Sequence, residues 1–148
     1  MIQYTFDYRK ERTRDGEIVY RPVVYLYLRG KDNNLYLFDA YIDSGADISL
    51  FTKTDCALLG HKLEKGEEKL IGGIGGGLIR TFVHKVPVRI GEIEFEARIA
   101  FAVLEEIPRL LGRADIFKRF QLLFDESILK VYFTSKSAST TTKQEKGG

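Results

Sequence analysis

The sequence is poor in residues that build covalent or metal-bound frameworks. Its 148 residues include one cysteine, Cys56, two histidines and no tryptophan. A single cysteine excludes an internal disulfide and a cysteine-based zinc site, and His61 and His84 are too far apart in the sequence to suggest a metal pair. We therefore expect neither a metal nor a cofactor, and we interpret Cys56 as a packing residue.

The sequence also lacks an excess of one charge and any long apolar run. Its 23 basic and 21 acidic residues are interspersed and leave a net charge of +2, so neither nucleic acid nor a membrane is indicated as a partner. No apolar run approaches the roughly 20 residues of a membrane span, and the first residues lead directly into structured sequence. We therefore expect a soluble, cytoplasmic protein of one domain.

One stretch, from Tyr41 to Leu50, places a small polar cluster between apolar segments. The preceding run, 35–42, is rich in aromatic, leucine and β-branched residues and predicts a buried strand that ends at Asp43. Ser44 can hydrogen-bond locally and Gly45 tolerates positive φ, so Asp-Ser-Gly is typical of a tight turn. A carboxylate on such a rigid support is a functional candidate, although a plain surface turn would have the same sequence.

The N-terminal pattern predicts two more strands before this turn. Alternating apolar residues predict a strand over 2–8, which a turn at Asp15-Gly16 joins as a hairpin to a second strand over 18–28. Pro22 within the second run favours an edge position or a bulge. We therefore expect three strands before Asp43.

The C-terminal pattern predicts an all-β fold class with two short helices. The predicted strands cover 48–51, 81–90, 93–103, 110–111, 122–124 and 128–133. One helix is expected over 55–59, capped by Thr52 or Thr54, and another over 114–120. From Thr134 to Gly148 the sequence is polar, which predicts a disordered tail after a domain of residues 1–133.

A second unusual stretch, 69–80, places five glycines around Ile74. A hairpin with a glycine tip has low local stability, and its backbone N–H groups can approach a ligand closely, so we interpret it as a flap. A phosphate-binding loop and a hairpin without function are the alternatives. Glycine-rich motifs that bind phosphate are followed directly by a helix, whereas the pattern of residues 81–86 alternates as in a strand. His84 in that strand is interpreted as a cross-strand residue rather than a catalyst.

Three stretches together resemble the retroviral-type, or retropepsin-like, aspartic protease family. They are Ile42-Asp43-Ser44-Gly45-Ala46-Asp47, Ile71-Gly72-Gly73-Ile74-Gly75-Gly76, and Leu110-Leu111-Gly112-Arg113. Their order and spacing match the family over roughly 23–133, and the C-terminal part is most similar to cellular retroviral-like proteases of the DNA-damage-inducible type. The resemblance implies a closed, orthogonal, β-barrel-like acid protease lobe with a flap hairpin and one or two short helices.

The resemblance also implies a role for each residue of the turn. Asp43 corresponds to the catalytic aspartate, and Ser44 to the hydroxyl that hydrogen-bonds across a dimer axis. The carbonyl of Gly45 is implied to receive substrate, and Ala46 to line the floor of the site.

Further roles are implied for residues outside the turn. Asp47 and Arg113 correspond to a supporting ion pair, and Gly112 to the glycine of a loop packed behind the turn. Ile74 corresponds to the residue at the flap tip that reaches substrate, and its glycine neighbours let the flap open and close. These are Gly72, Gly73, Gly75 and Gly76. The N-terminal extension through Arg21 differs from the viral enzymes.

Peptide hydrolysis by carboxylates requires two of them, one as general base on water and one protonated to polarise the scissile carbonyl. This chain has one Asp-Ser/Thr-Gly sequence, so the second carboxylate must be Asp43 of another copy in a two-fold homodimer. We therefore expect an aspartic endopeptidase that cuts extended polypeptide between apolar residues. The alternatives are an inert peptide-binding or assembly module on the same fold, and a subunit that dimerises only with a partner.

Overall fold

The computed structural model describes residues 1–73 and 75–136, and strands dominate this part of the chain. In chain order the described strands are β1 (Gln3–Asp7), β2 (Arg9–Arg12), β3 (Ile18–Arg21), β4 (Val23–Arg29), β5 (Leu35–Ile42), β6 (Ser49–Thr52), β7 (Glu67–Gly72), β8 (Leu78–Ile90), β9 (Ile93–Ala102), β10 (Leu110–Leu111), β11 (Phe120–Asp125) and β12 (Lys130–Ser135). One α-helix, α1 (Lys53–Leu58), follows β6, and a 3₁₀ turn (Leu63–Lys65) precedes β7. The predicted all-β class is confirmed.

Seven strands form one sheet in the order β4-β5-β10-β6-β9-β8-β7. The sheet closes on itself because β8 also pairs with β4, where Tyr27 lies opposite Arg89 and Leu28 opposite Val88. In the closed sheet β7 pairs only with β8. These two strands form the hairpin that contains the glycine stretch. The predicted barrel-like lobe is therefore confirmed.

The core lies inside this closed sheet and fixes the strands that lead to the candidate site. In β4, Leu26 and Leu28 are buried whereas Tyr25 and Tyr27 are exposed. This alternation is typical of a sheet with one face packed on the core and the other exposed to solvent. Phe51 of β6 is fully buried, and its ring meets that of Phe38 in β5 edge-on at a centroid distance of 5.5 Å. Such aromatic contacts stabilise the core beyond the area that they bury.

The first strand pairs differently from the sequence prediction. β1 pairs antiparallel with β12, with Gln3 opposite Thr134, and β12 also pairs with β11, so both ends of the described chain share one three-stranded sheet. The hairpin at Asp15-Gly16 forms between β2 and β3 instead. Pro22 separates β3 from β4. Five strands rather than three therefore precede Asp43.

Helix α1 has the predicted cap at Thr52. The Thr52 hydroxyl accepts from the N–H of Asp55 at 3.2 Å, and the Asp55 carboxylate accepts from the N–H of Thr52 at 3.2 Å. This reciprocal pair satisfies two N–H groups that have no partner within the helix. The helix begins two residues earlier than predicted.

The second predicted helix, 114–120, is wrong. Residues 114–119 form consecutive turns, and Phe120 already belongs to β11. Asp115 has a φ of 65°, which a right-handed helix cannot accommodate. The carboxylate of Asp115 accepts from the backbone N–H of Arg98 at 2.9 Å and from its guanidinium at 2.8 Å. This tertiary contact outweighs the helical spacing of the apolar residues.

The last strand continues past the predicted domain boundary at 133. Thr134 and Ser135 belong to β12, and the N–H of Ser135 donates to the carbonyl of Ile2 at 2.8 Å. Of the predicted disordered tail, residues 137–148 lie outside the described part of the chain. Within residues 1–73 and 75–136, no helix is both long and apolar enough to cross a membrane.

Candidate active site

Asp43 lies where β5 ends, and the backbone on both sides of it is held by the sheet. Its N–H donates to the carbonyl of Leu111 in β10 at 3.0 Å, and its carbonyl accepts from the N–H of Ala46 at 3.1 Å. Its carboxylate oxygen Oδ1 accepts from the N–H of Gly45 at 3.0 Å. Because β5 and β10 are paired strands, they hold this half-buried carboxylate in one position.

The turn after Asp43 depends on glycine for space rather than for backbone conformation. Gly45 does not adopt the positive φ that glycine tolerates. A Cβ at Gly45 would lie 3.3 Å from Oδ1 of Asp43, so the missing side chain leaves room for the carboxylate. Ser44 is exposed at this turn, and Ala46 is half-buried beneath it.

Arg113 ties the turn to the segment that follows β10. Its guanidinium pairs with the carboxylate of Asp47 and donates to the carbonyl of Ser44 at 3.2 Å. Its backbone N–H donates to the carbonyl of Ala46 at 2.9 Å. The Asp47 side chain is 84% exposed, so the ion pair contributes little to stability in water. Its structural effect is to orient the carbonyls of the turn.

Gly112 packs directly behind the turn, where no other residue fits. A Cβ there would lie 2.4 Å from both the carbonyl carbon and the carbonyl oxygen of Ile48 and 2.8 Å from the nitrogen of Ser49. The N–H of Gly112 donates to the Ser49 hydroxyl at 2.9 Å in a buried bond. The sequence analysis missed Ser49, although a serine in an otherwise apolar strand is a signal of a buried polar contact.

The glycine stretch forms the tip of the β7–β8 hairpin. Gly72 pairs with Leu78, and the N–H of Gly73 donates to the carbonyl of Gly77 at 3.2 Å. Gly75 and Gly76 have φ angles of 96° and 82°, which favour glycine over any other residue. Ile74, the predicted tip residue, lies outside the described residues.

An apolar cluster joins this hairpin to the floor of the site. Ile71 and Ile79 of the hairpin pack against buried Leu50, Ala100 and Ala102, as do Ile48, Val83, Ile107 and Leu110. Leu70 and Leu78 alternate with these two residues on the opposite face of the hairpin and are 58% and 66% exposed. The structure therefore brings the hairpin and the Asp43 turn together through one apolar surface.

Arg109 connects the site to helix α1, and no local sequence signal indicates this contact. Its guanidinium donates to Asp55 at 2.8 Å and to Asp39 at 3.2 Å, and its carbonyl accepts from the N–H of Tyr41 at 2.9 Å. The hydrogen bond that Arg109 donates to Asp55 raises the pKa of Arg109 above its ordinary value. Arg109 thereby fixes the strand that ends at Asp43.

The two histidines are neighbours despite their separation in sequence. Their ring centroids lie 4.9 Å apart, and Nε2 of His84 is 3.0 Å from the carbonyl of Leu63. Burial lowers the pKa of His61 below its ordinary value. Across residues 1–73 and 75–136, no group of three or more His, Cys, Asp or Glu residues is placed to hold a metal ion.

The sequence matches the family model "Retroviral aspartyl protease" over residues 19–124. DNA damage-inducible protein 1 of Yarrowia lipolytica is 31% identical over 84 residues, which cover 55% of this chain and 21% of that protein. UBA domain-containing protein Mud1 of Schizosaccharomyces pombe is 26% identical over 114 residues, which cover 74% of this chain and 34% of that protein. The chain therefore spans only about a fifth to a third of the length of these curated relatives.

Two solved structures have similar folds. A retropepsin-like aspartic protease from Rickettsia conorii aligns with a TM-score of 0.60 at 21% identity, covering 88% of this chain and 89% of that one. EIAV protease, in complex with an inhibitor, aligns with a TM-score of 0.50 at 26% identity, covering 66% of this chain and 86% of that one. These alignments confirm the predicted protease lobe.

Proposed function

Because the chain belongs to the retroviral aspartyl protease family, with a retropepsin-like fold, we propose that it is an aspartic endopeptidase whose catalytic carboxylate is Asp43. The observation that carries the proposal is the way the structure holds this side chain. Its carboxylate accepts from the N–H of Gly45, and its backbone is anchored on Leu111, so the acid lies at a fixed strand end. A general acid or base acts efficiently only when its position is fixed in this way.

The active form in this proposal is a homodimer. Each chain contributes one Asp43, and two such carboxylates across a two-fold axis share one proton because both cannot ionise at close range. The ionised carboxylate takes a proton from water, and the protonated one donates a hydrogen bond to the scissile carbonyl. Ser44, exposed beside Asp43, would hydrogen-bond across the axis and hold the two turns in register.

The substrate in this proposal is an extended polypeptide that binds between the turn and the glycine hairpin. It would add as a strand, with main-chain hydrogen bonds to the carbonyl of Gly45 and to the glycine backbone of the flap. Asp47 and Arg113 would orient the turn, and Ala46 would line its floor. The apolar surface shared by the flap and the floor supports cleavage between apolar residues.

The flap in this proposal opens to admit substrate. Gly72, Gly73, Gly75 and Gly76 carry no side chains, and a Cβ placed on Gly73, Gly75 or Gly76 would meet nothing within 4 Å. Few packing contacts hold such a segment in place, so it can swing at low cost. We also propose that the protease domain ends with β12.

Cleavage of a fluorogenic peptide library between about pH 4 and pH 7 tests the proposal. Asp43→Asn should abolish cleavage, whereas Asp15→Asn, in the exposed turn between β2 and β3, should leave it intact. Peptide binding without cleavage by the native dimer would instead favour the inert binding module.

A further inference from the structure

A cavity of about 560 Å³ lies at the base of the β7–β8 hairpin and shares no lining residue with the Asp43 turn. Five of the six residues that line it are basic. They are Lys31, His61, Lys62, Lys65 and His84, and Gly60 completes the lining. A cleft lined by charges of one sign repels itself and concentrates ligands of the opposite sign. The cavity is therefore a candidate site for an anion.

Three separate segments of the chain build this cavity. Lys31 lies in the turn between β4 and β5, and its backbone N–H donates to the carbonyl of Leu59, at the end of α1, at 2.8 Å. Gly60 follows with a φ of 86°, and a Cβ there would lie 3.3 Å from the Cβ of Lys31. Glycine thus allows the two turns to come into contact. Backbone contacts hold these segments together, so the lysine side chains are not needed for that purpose.

The third segment is β8, which contributes His84. Nε2 of His84 is 3.0 Å from the carbonyl of Leu63, which can only accept, so this nitrogen carries the proton of the neutral ring. A Cβ on Gly66 would lie 2.6 Å from the same nitrogen, so the glycine leaves room for the ring. Burial, and then the charges of His84 and Lys31, lower the pKa of His61. A bound anion would act in the opposite direction and favour the protonated ring.

The three lysines of the cavity are available to a ligand. Their side chains are exposed, and within residues 1–73 and 75–136 none of them forms an ion pair. Glu64, in the same 3₁₀ turn as Lys65, is also exposed and pairs with no cation in this part of the chain. An ammonium group is a compact point charge that suits phosphate, whereas bidentate recognition of a carboxylate is typical of arginine. The lining therefore favours phosphate over a carboxylate ligand.

We propose that this cavity binds a small anion with two phosphate groups, of the pyrophosphate class. One phosphate group carries a charge of about −1.5 to −2 at neutral pH, which is less than the combined charge of the three lysines. Lys31 belongs to one segment, and Lys62 and Lys65 belong to another, so a ligand with two phosphate groups can contact both segments.

Nuclear magnetic resonance of the histidine rings tests this inference, because the chain has only two histidines and both line the cavity. Pyrophosphate is titrated into the native protein at a constant ionic strength of about 0.1 M, which screens contacts between distant surface charges. The signals of both rings should shift together and saturate with a Kd below about 1 mM, and the pKa of His61 should rise at saturation. Inorganic phosphate should bind at least about fivefold more weakly, because it loses one charged contact.

Lysine variants show whether the anion binds in the cavity. Lys31→Gln and Lys62→Gln should each raise the Kd for pyrophosphate about three- to tenfold, the range of one exposed charged contact. Lys85→Gln is the matched control and should keep the native Kd, because Lys85 follows His84 in β8 and lies on the opposite face of that strand.

Three results would overturn the inference. They are histidine signals that do not shift with pyrophosphate, an equal rise of Kd in all three lysine variants, and equal affinity for phosphate and pyrophosphate. Binding is measured without any cleavage, so the result is the same whether or not the chain is a protease.

Discussion

Gly112→Ala should destabilise the fold around the candidate site, because the added methyl group has no space. The new Cβ would lie 2.4 Å from the carbonyl carbon and oxygen of Ile48, a separation well inside van der Waals contact. Both atoms belong to the backbone, so no side-chain rotation relieves the clash. The segment after β10 must move away from β6, and the buried hydrogen bond from Gly112 to the Ser49 hydroxyl, now 2.9 Å, must lengthen or break.

The expected cost follows from these two effects. Overpacking a close contact costs about 1 to 3 kcal/mol, and a buried donor left without its partner costs about 1 to 3 kcal/mol. The loss of backbone freedom in the unfolded chain offsets about 0.4 to 1 kcal/mol of this. We therefore expect the free energy of unfolding to fall by about 2 to 4 kcal/mol. For a domain of this size, this change corresponds to a decrease of roughly 10 °C in Tm.

Urea unfolding followed by circular dichroism, at one fixed protein concentration, measures this change. Gly77→Ala is the matched control, because a Cβ at Gly77 meets nothing within 4 Å and this residue of the β7–β8 hairpin has no positive φ. The control should be neutral or slightly stabilising. A change below about 0.5 kcal/mol in Gly112→Ala, the size of an ordinary surface substitution, would refute the reasoning, as would an equal loss in both variants.

Two further predictions concern the scaffold. The hydrogen bond from Arg98 lowers the pKa of Asp115 to about 2, so this pair stabilises the fold above the ordinary carboxyl pKa, and that stability is lost as the pH falls from about 4 to 2. Between pH 4 and 2, the free energy of unfolding should therefore fall by about 1 kcal/mol less in Asp115→Asn than in the native protein. This value is discounted for solvent screening because Arg98 is half-exposed. An equal fall in both proteins would contradict the prediction. Thr52→Ala removes the cap of helix α1 and should cost about 1 kcal/mol in urea unfolding. Thr54→Ala, exposed in the first turn of that helix, should cost little, and an equal loss in both would contradict the role of the cap.

The features that could be predicted from the sequence are those that short-range chemistry determines. Apolar and aromatic residues before Asp43 predict a buried strand, and Thr52 or Thr54 predicts a helix cap, because both patterns depend on neighbours in the chain. The glycines around Ile74 predicted a hairpin tip for a similar reason. The barrel-like lobe was implied by the resemblance of three motifs, and the closure of the sheet through β4 and β8 confirms it.

The features that could not be predicted depend on contacts between distant residues. β1 pairs with β12, and no local pattern in Gln3 to Asp7 distinguishes that partner from the adjacent hairpin. The apolar spacing over 114–120 is helical, but the bond between Asp115 and Arg98 imposes a left-handed backbone that ends any helix. The hydrogen bond from the Tyr41 hydroxyl to Glu11 likewise joins β5 to β2, although β3 and β4 lie between these two strands in the sequence.

The most direct test of the account is a mixing experiment on the shared active site. Native protein and the Asp43→Asn variant are mixed at a constant total concentration, allowed to exchange subunits, and assayed for peptide cleavage. If each site needs Asp43 from both chains, activity should fall with the square of the native fraction, to about a quarter at equal amounts. A linear fall, to about half, would show that one chain carries a complete site and would contradict the account.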